Sequence, residues 1–147
     1  MLAEGVIPAL IERMKGRGLF GGRIAAAADL QALIRTGQAG APVLRAHVIP
    51  SALTGGRPAA AAGAFIQPVD RGVTVLFTLP SADGTGARKT DELEELISTT
   101  IAAVVGWRHS AMPGAFRLVR AALLSMQGGT IAYQIDFAAG DQLRISP

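Results

Sequence analysis

Residues 91–105 have the sequence DELEELISTTIAAVV, which predicts an amphipathic helix. Acidic residues fill its first turn, where the helix dipole favours negative charge, and Asp91 is expected to cap the helix with Glu94 three residues later. Gly106 is expected to end it. The apolar side chains recur every three or four residues in one stripe: Leu93, Leu96, Ile97, Ile101, Val104 and Val105. The rest of the chain must supply a surface against which this stripe is buried.

Two more helices are predicted before this one. The first begins near Glu4 and tolerates Pro8, because the first turn of a helix has no amide hydrogen bonds to lose. It is expected to stop at residues 15–18, which are KGRG. A shorter helix is predicted over about 25–35. The apolar stripe of the first helix consists of Val6, Ile7, Leu10, Ile11 and Met14.

Alternating side chains predict strands over residues 42–50, 65–79 and 130–137, and a fourth strand is predicted over 116–126 as the other half of a hairpin. In the second strand, Gly72 is expected to mark a bulge or bend. The last two strands flank Gln127-Gly128-Gly129, whose glycines suit the positive φ angles of a tight hairpin turn. On the last predicted strand, one face is expected to be buried and the other exposed to solvent.

The stretch between the first two predicted strands, residues 51–64, is rich in glycine and alanine. Because it has too little bulk to anchor a core, we expect a long mobile loop. The elements together predict an α+β fold, a small mainly antiparallel four-stranded sheet with the N-terminal helix and the long central helix packed on it. The 147 residues are expected to form a single domain, 1–147.

The composition points to self-association. Half of the residues are hydrophobic, whereas only 17% are charged and 5% are aromatic. A small domain with so few charges exposes more apolar surface than one copy comfortably leaves in water. The net charge of +3 is spread along the chain, which is not the clustered pattern of a dedicated DNA-binding surface.

The sequence contains no cysteine and no apolar run long enough for a membrane helix. Residues 1–6 lack the basic start and the long apolar run of a secretory signal. We therefore expect a soluble protein made in the cytoplasm, with neither disulfides nor a membrane association.

Residues 16–21, GRGLFG, have the glycine spacing of a dinucleotide-binding loop. That mechanism needs a strand before the glycines and an acidic residue about 20 residues later. Here a predicted helix precedes them, and residues 38–41 are Gln, Ala, Gly and Ala. The segment is interpreted as a flexible end of the first helix.

No catalytic, cofactor-binding or metal site is predicted. Neither histidine has further metal ligands at a suitable spacing, and His47, which alternates with Arg45, is expected to face solvent. His109 and Ser110 are adjacent, which prevents the geometry of a catalytic triad. The acidic residues of 91–95 are explained by the helix dipole without a cation. We therefore expect no cofactor and no enzymatic activity.

Trp107 is the only tryptophan and directly follows Gly106, a position typical of a core side chain. The helix that ends in Gly106-Trp107 resembles the phage tail terminator family of long-tailed phages, prophages and gene transfer agents. Other segments share the resemblance, which spans nearly the whole chain: the N-terminal helix, residues 23–30, Ile49-Pro50, Gln67, residues 73–77 and residues 133–137.

The resemblance implies a structural virion protein without chemistry. Such proteins are hexameric rings that bind the head-proximal end of the tail tube, stop its polymerisation and present a surface for head–tail joining. The implied partners are other copies of the chain, the tail tube protein and a neck or connector protein, with DNA passing through the lumen without specific binding. The resemblance also implies a place in the virion, at the head-proximal end of the tail, and assembly in the host bacterial cytoplasm.

Two alternatives belong to other classes. One is another ring-forming phage protein of the tail tube or the neck, where it completes the head. The other is a small enzyme or nucleotide-binding domain that uses residues 16–21, which predicts stabilisation by a ligand. The presence of tail and head genes beside this one in the genome would separate the phage interpretations from the others.

If DNA threads a ring, some cations are expected to line its lumen and soften phosphate repulsion. The candidates lie at loop and strand ends, where side chains reach toward an axis: Arg57, Arg71, Arg88 and Lys89. Contact with a partner at an interface, or solvation on the outer surface, is the alternative for each of them.

Overall fold

The fold comes from a computed structural model, which describes residues 1–28, 43–61, 63–82 and 86–146. Two α-helices lie in these ranges, α1 at Val6–Gly16 and α2 at Thr90–Val104. Short 3-10 helices occupy Leu19–Gly22 and Ala87–Lys89. The strands are β1 Ile24–Ala26, β2 Arg45–Gly55, β3 Ala59–Ala61, β4 Ala64–Pro80, β5 Arg117–Gln127 and β6 Thr130–Ile145.

One sheet contains all of these strands. Five of them follow one another in the order β1-β2-β4-β6-β5, and β3 pairs with the beginning of β4. β1 is parallel to β2, and the other pairings are antiparallel. The α+β prediction is confirmed, with β1 and β3 added to the four predicted strands.

The long central strand β4 is buried on both faces over residues 73–79. Val73, Val75 and Phe77 face the helices and join the main core. Leu76 lies on the second face, in a smaller cluster with Ile49 and Ala132. The alternation predicted for this strand is therefore confirmed, but neither face is left to water.

Both helices pack on the same face of the sheet. In α1 the buried residues are Val6, Leu10, Ile11 and Met14, as predicted. In α2 the fully buried positions are Thr100, Ala103 and Val104. The apolar residues of its earlier turns are only half-buried against the core, and Val105 is exposed. The stripe prediction is thus correct in position, although burial increases toward the end of the helix.

The start of α2 differs from the prediction. Lys89 occupies the N-cap position, and no side chain caps the helix there. Asp91 and Glu92 lie inside the first turn, where their charge still favours the dipole. At the other end, Gly106 adopts a φ of 84°, in agreement with the predicted stop.

The helix predicted over 25–35 is wrong at its beginning. Ile24–Ala26 forms β1, and Ile24 pairs with Ala46 across a parallel ladder. Alanine favours a helix in isolation, but pairing with a strand 22 residues away outweighs this weak local preference. Residues 29–35 of the predicted helix lie outside the described residues.

The loop predicted over 51–64 is also wrong. β2 continues to Gly55, β3 pairs with β4, and the Gly56 amide donates to the Pro68 carbonyl at 2.7 Å. Because a ladder is made by the backbone, small side chains do not prevent it. We call residues 51–68 the β-arm. Side chains 51–59 are all exposed, so the arm extends the sheet beyond the core.

Two local irregularities match glycine positions. The bulge expected near Gly72 lies on the partner strand, where the register shifts between Pro50 and Ala52. A Cβ on Gly72 would come within 2.9 Å of the Ala52 side chain, so glycine allows this close approach. The hairpin between β5 and β6 turns at Gly128 and Gly129, both with positive φ, as predicted.

Candidate assembly surfaces

The glycine-rich segment 16–21 ends helix α1, as the sequence predicted. α1 runs to Gly16, and the 3-10 helix Leu19–Gly22 follows directly. Phe20 adopts a positive φ of 55° and buries its ring 5.3 Å from that of Phe77. The segment packs against the core after a helix, which is not the strand-to-helix turn that holds a dinucleotide.

His47 does not face solvent, and that prediction is wrong. The residue is 7% exposed, on the second face of the sheet beside Leu76, its partner in β4. Burial, followed by the charge of Arg45, lowers the pKa of His47 below 6.5. His109 accepts a hydrogen bond from the Ala111 amide at its Nδ1. Among the described residues, no three histidine or acidic side chains come together as metal ligands.

Gly106 and Trp107 join the end of α2 to the sheet. The Gly106 amide donates to the Phe116 carbonyl, and the Phe116 amide donates to the Trp107 carbonyl. The Trp107 and Phe116 rings are stacked, with their centroids 5.8 Å apart and an interplanar angle of 4°. Arg13 lies over the indole at 6.0 Å and donates from Nε to the Ala103 carbonyl at 2.6 Å. The Gly-Trp pair therefore fixes α1, α2 and β5 to one another.

Arg71 has a structural partner. Its Nη1 donates to the Asp141 carboxylate at 3.1 Å and to the Ala3 carbonyl at 2.6 Å. Asp141, whose side chain is 4% exposed, also accepts the amides of Ala3 and Gln142. This buried carboxylate is fully hydrogen-bonded, so the pair ties the N-terminal segment to β4 and β6.

The four candidate lumen cations do not form one cluster. Arg57 is exposed on the β-arm, where the neighbouring Gly56 bonds to Pro68. Arg88 and Lys89 precede α2 beyond the far end of β4, and Lys89 pairs with Glu92 at 3.0 Å. Twelve residues of β4 separate Pro68 from Pro80, which corresponds to about 40 Å. One end of the sheet carries Arg57, and the other carries Arg88 and Lys89.

The second face of the sheet contains an open groove of about 490 Å³ between β2 and β5. Arg117 donates to Asp70 across it at 2.6 Å, and this hydrogen bond lowers the pKa of Asp70. Thr74 donates to Asp136 at 2.6 Å in the same groove. Both carboxylates are thus occupied by contacts within the chain, and nothing in this arrangement supplies a nucleophile with its base.

The edge strand β5 exposes the largest run of apolar side chains. Leu118, Val119 and Leu123 are 44%, 57% and 55% exposed. One side of β5 pairs with β6, and its other side is an edge of the sheet. Bulges interrupt the register near Val119 and near Leu124. Bulges and arginines are devices that keep an edge strand from uncontrolled pairing. This edge is therefore suited to side-chain contacts with a partner.

Sequence reasoning did not identify β5 as a surface. Its place before the glycine turn predicted a strand of a hairpin, but that place carries no information on whether the strand is central or at an edge. The clue available was the pair of consecutive apolar residues Leu118-Val119 beside Arg117 and Arg120, which is unusual for a buried central strand.

Comparison with known proteins identifies the family of the chain. The sequence profile of the family "Phage tail terminator protein" matches residues 7–147. No curated protein sequence matched the chain. In the described residues, no helix is long and apolar enough to cross a membrane.

Proposed function

We propose that this chain, which belongs to the phage tail terminator protein family, forms a ring that caps the head-proximal end of a tail tube. The family is one of structural phage tail proteins, and the profile match over residues 7–147 is the observation that carries the proposal. The low charge and the exposed apolar edge β5 support self-association into a ring.

A cap of this kind acts without catalysis. A ring bound to the last layer of the tube covers the surfaces that would accept the next tube subunit, so growth stops. Its opposite side differs, because a head-to-tail ring has two unlike faces, and that side meets the neck or connector of the head. DNA passes through the lumen, where specific binding would hinder its movement.

Electron microscopy of particles made without this gene tests the proposal. We expect tails of excessive and variable length that do not join heads, and normal particles when the gene is supplied from a plasmid. Tails of normal length in the absence of the gene would overturn the proposal.

The same experiment separates the alternative roles. Loss of a tube protein leaves no tails, whereas loss of a neck protein leaves tails of normal length that remain unattached. Purified protein that polymerises into long tubes by itself would favour the tube role.

A further inference from the structure

We propose that the exposed edge of β5 in one copy docks on the outer face of α2 in the next copy. This inference rests on the proposed ring and names the contact that builds it. The β5 surface consists of Leu118, Val119 and Leu123 together with Arg120. Leu118 and Leu123 pair with Phe137 and Tyr133 on the helix face of the sheet, whereas Val119 lines the groove on the second face. Arg120 is exposed on the second face opposite Asp136, whose carboxylate accepts hydrogen bonds from Thr74 and Gln134. Within the described part of the chain, Arg120 forms no salt bridge.

The outer face of α2 is complementary to this surface in charge. Asp91, Glu94 and Glu95 are exposed on its first two turns. Most other acidic residues in the described ranges have partners within the chain: Glu12, Asp70, Glu92, Asp136 and Asp141. The basic edge therefore finds its strongest complement on this helix of another copy.

The same face of α2 carries small side chains, against which the apolar side chains of β5 can pack. Ser98 and Ala102 follow Glu95 at helical spacing and are exposed. The neighbouring Thr99 is also exposed, and its hydroxyl donates to the Glu95 carbonyl at 2.9 Å. The 15 residues of α2 span about 22 Å, and Arg117 to Leu123 on β5 span about 20 Å. The two surfaces match in length.

A single copy cannot make this contact with itself. The Gly86 turn before α2 lies against Met126, and the end of α2 bonds to Phe116. α2 therefore runs opposite to β5, and the acidic turns lie near Met126. Arg120 lies six residues before Met126 on the strand, so the two residues are about 20 Å apart.

The direction of the two surfaces favours a ring over a two-fold pair. The outer face of α2 points away from the sheet, whereas the β5 edge lies in the plane of the sheet. A contact between two different surfaces is head-to-tail, and it repeats from copy to copy until the ring closes.

Disulfide cross-linking tests this contact, because the natural chain contains no cysteine. The full chain carrying Val119→Cys is mixed with the full chain carrying Ser98→Cys at high concentration under mild oxidation. We expect a cross-linked heterodimer of the two variants. A matched control replaces Val119→Cys with Arg57→Cys on the β-arm, and we expect only background product.

Charge exchange gives a second readout on the same pair. Arg120→Glu on the Val119→Cys chain, or Glu95→Arg on the Ser98→Cys chain, should each lower the yield by about fivefold. The two changes together should restore most of it. Circular dichroism of each variant confirms folding before mixing.

Three outcomes would overturn the proposal. They are a yield no greater than that of the Arg57→Cys control, a product dominated by Val119→Cys homodimers, and a double exchange that fails to rescue. These outcomes leave the terminator role intact if tails still need the gene for length control. Conversely, normal tails without the gene would refute the role even if the cross-link forms.

Discussion

At the scale of single residues, Trp107 stabilises the end of helix α2. Its ring stacks on Phe116, and Arg13 covers it from α1. Trp107→Ala should lower the free energy of unfolding by about 2–3 kcal/mol, less than for a fully buried tryptophan because the residue is half-buried. Trp107→Phe should lower the free energy of unfolding by less, since the phenylalanine ring can still stack on Phe116. Denaturant unfolding followed by circular dichroism measures both. Equal losses would mean that stacking contributes little.

His47 makes stability depend on pH. Burial, followed by the charge of Arg45, lowers the pKa of His47 in the folded protein. The unfolded chain therefore binds a proton more readily, and stability falls as the pH decreases through 6.5 toward the lowered pKa. We expect the melting temperature of the natural chain to fall between about pH 7.5 and about pH 5.5 by more than that of His47→Gln. An identical fall in both proteins would show that the imidazole is not responsible.

At the scale of elements, helix α2 has one buried side and one that is free in a single copy. Val104 is fully buried, so Val104→Ala should cost about 2 kcal/mol of unfolding free energy. Leu96 is half-buried, so Leu96→Ala should lower the unfolding free energy by less than the same change at a fully buried leucine. Glu95→Ala should change the unfolding free energy by less than about 0.5 kcal/mol. Chemical denaturation of the three variants gives this order. A large cost for Glu95→Ala would contradict the burial described for the helix.

The β-arm is paired but lies outside the core. Residues 56–68 can be replaced by Asn-Gly, because Gly55 and Val69 are partners across the ladder. We expect this variant to fold, with a melting temperature lower by less than about 8 °C. Tail-length control in cells should nevertheless be impaired, since the exposed residues 51–59 of the arm are available to a partner. An unfolded variant would show that the arm belongs to the core.

At the scale of the whole molecule, the lumen prediction concerns cations at both ends of the sheet. Arg71 is held by Asp141, which leaves Arg57, Arg88 and Lys89 as the exposed or half-exposed candidates. Changing Arg88 and Lys89 together to Glu should leave tail length unchanged and slow DNA ejection, because added negative charge repels phosphate. Overlong tails would instead place these residues at the tube interface. Arg57→Glu tests the remaining candidate, at the other end of β4, by the same two measurements.

Much of the fold follows from local periodicity. Helices α1 and α2, the long strand β4 and the glycine turn at 128–129 each carry their pattern within a short segment, and the structure confirms all four. Side-chain spacing alone distinguishes a helix from a strand when an element has one apolar face. The helix predicted before residues 16–21 likewise favoured a helix end over a dinucleotide-binding loop, and α1 does end there.

Tertiary pairing determined the remainder. Ala25 and Ala26 became a strand because β2 lies beside them, and the β-arm formed because its backbone pairs with β4. His47 is buried although its neighbour Arg45 suggested a solvent-exposed face, and β5 is an edge strand although the hairpin prediction did not distinguish an edge from a central position. Each of these outcomes depends on which distant segment supplies the partner. Because hydrogen bonds and burial between distant segments can outweigh local preferences of a few tenths of a kcal/mol per residue, short-range patterns do not encode them.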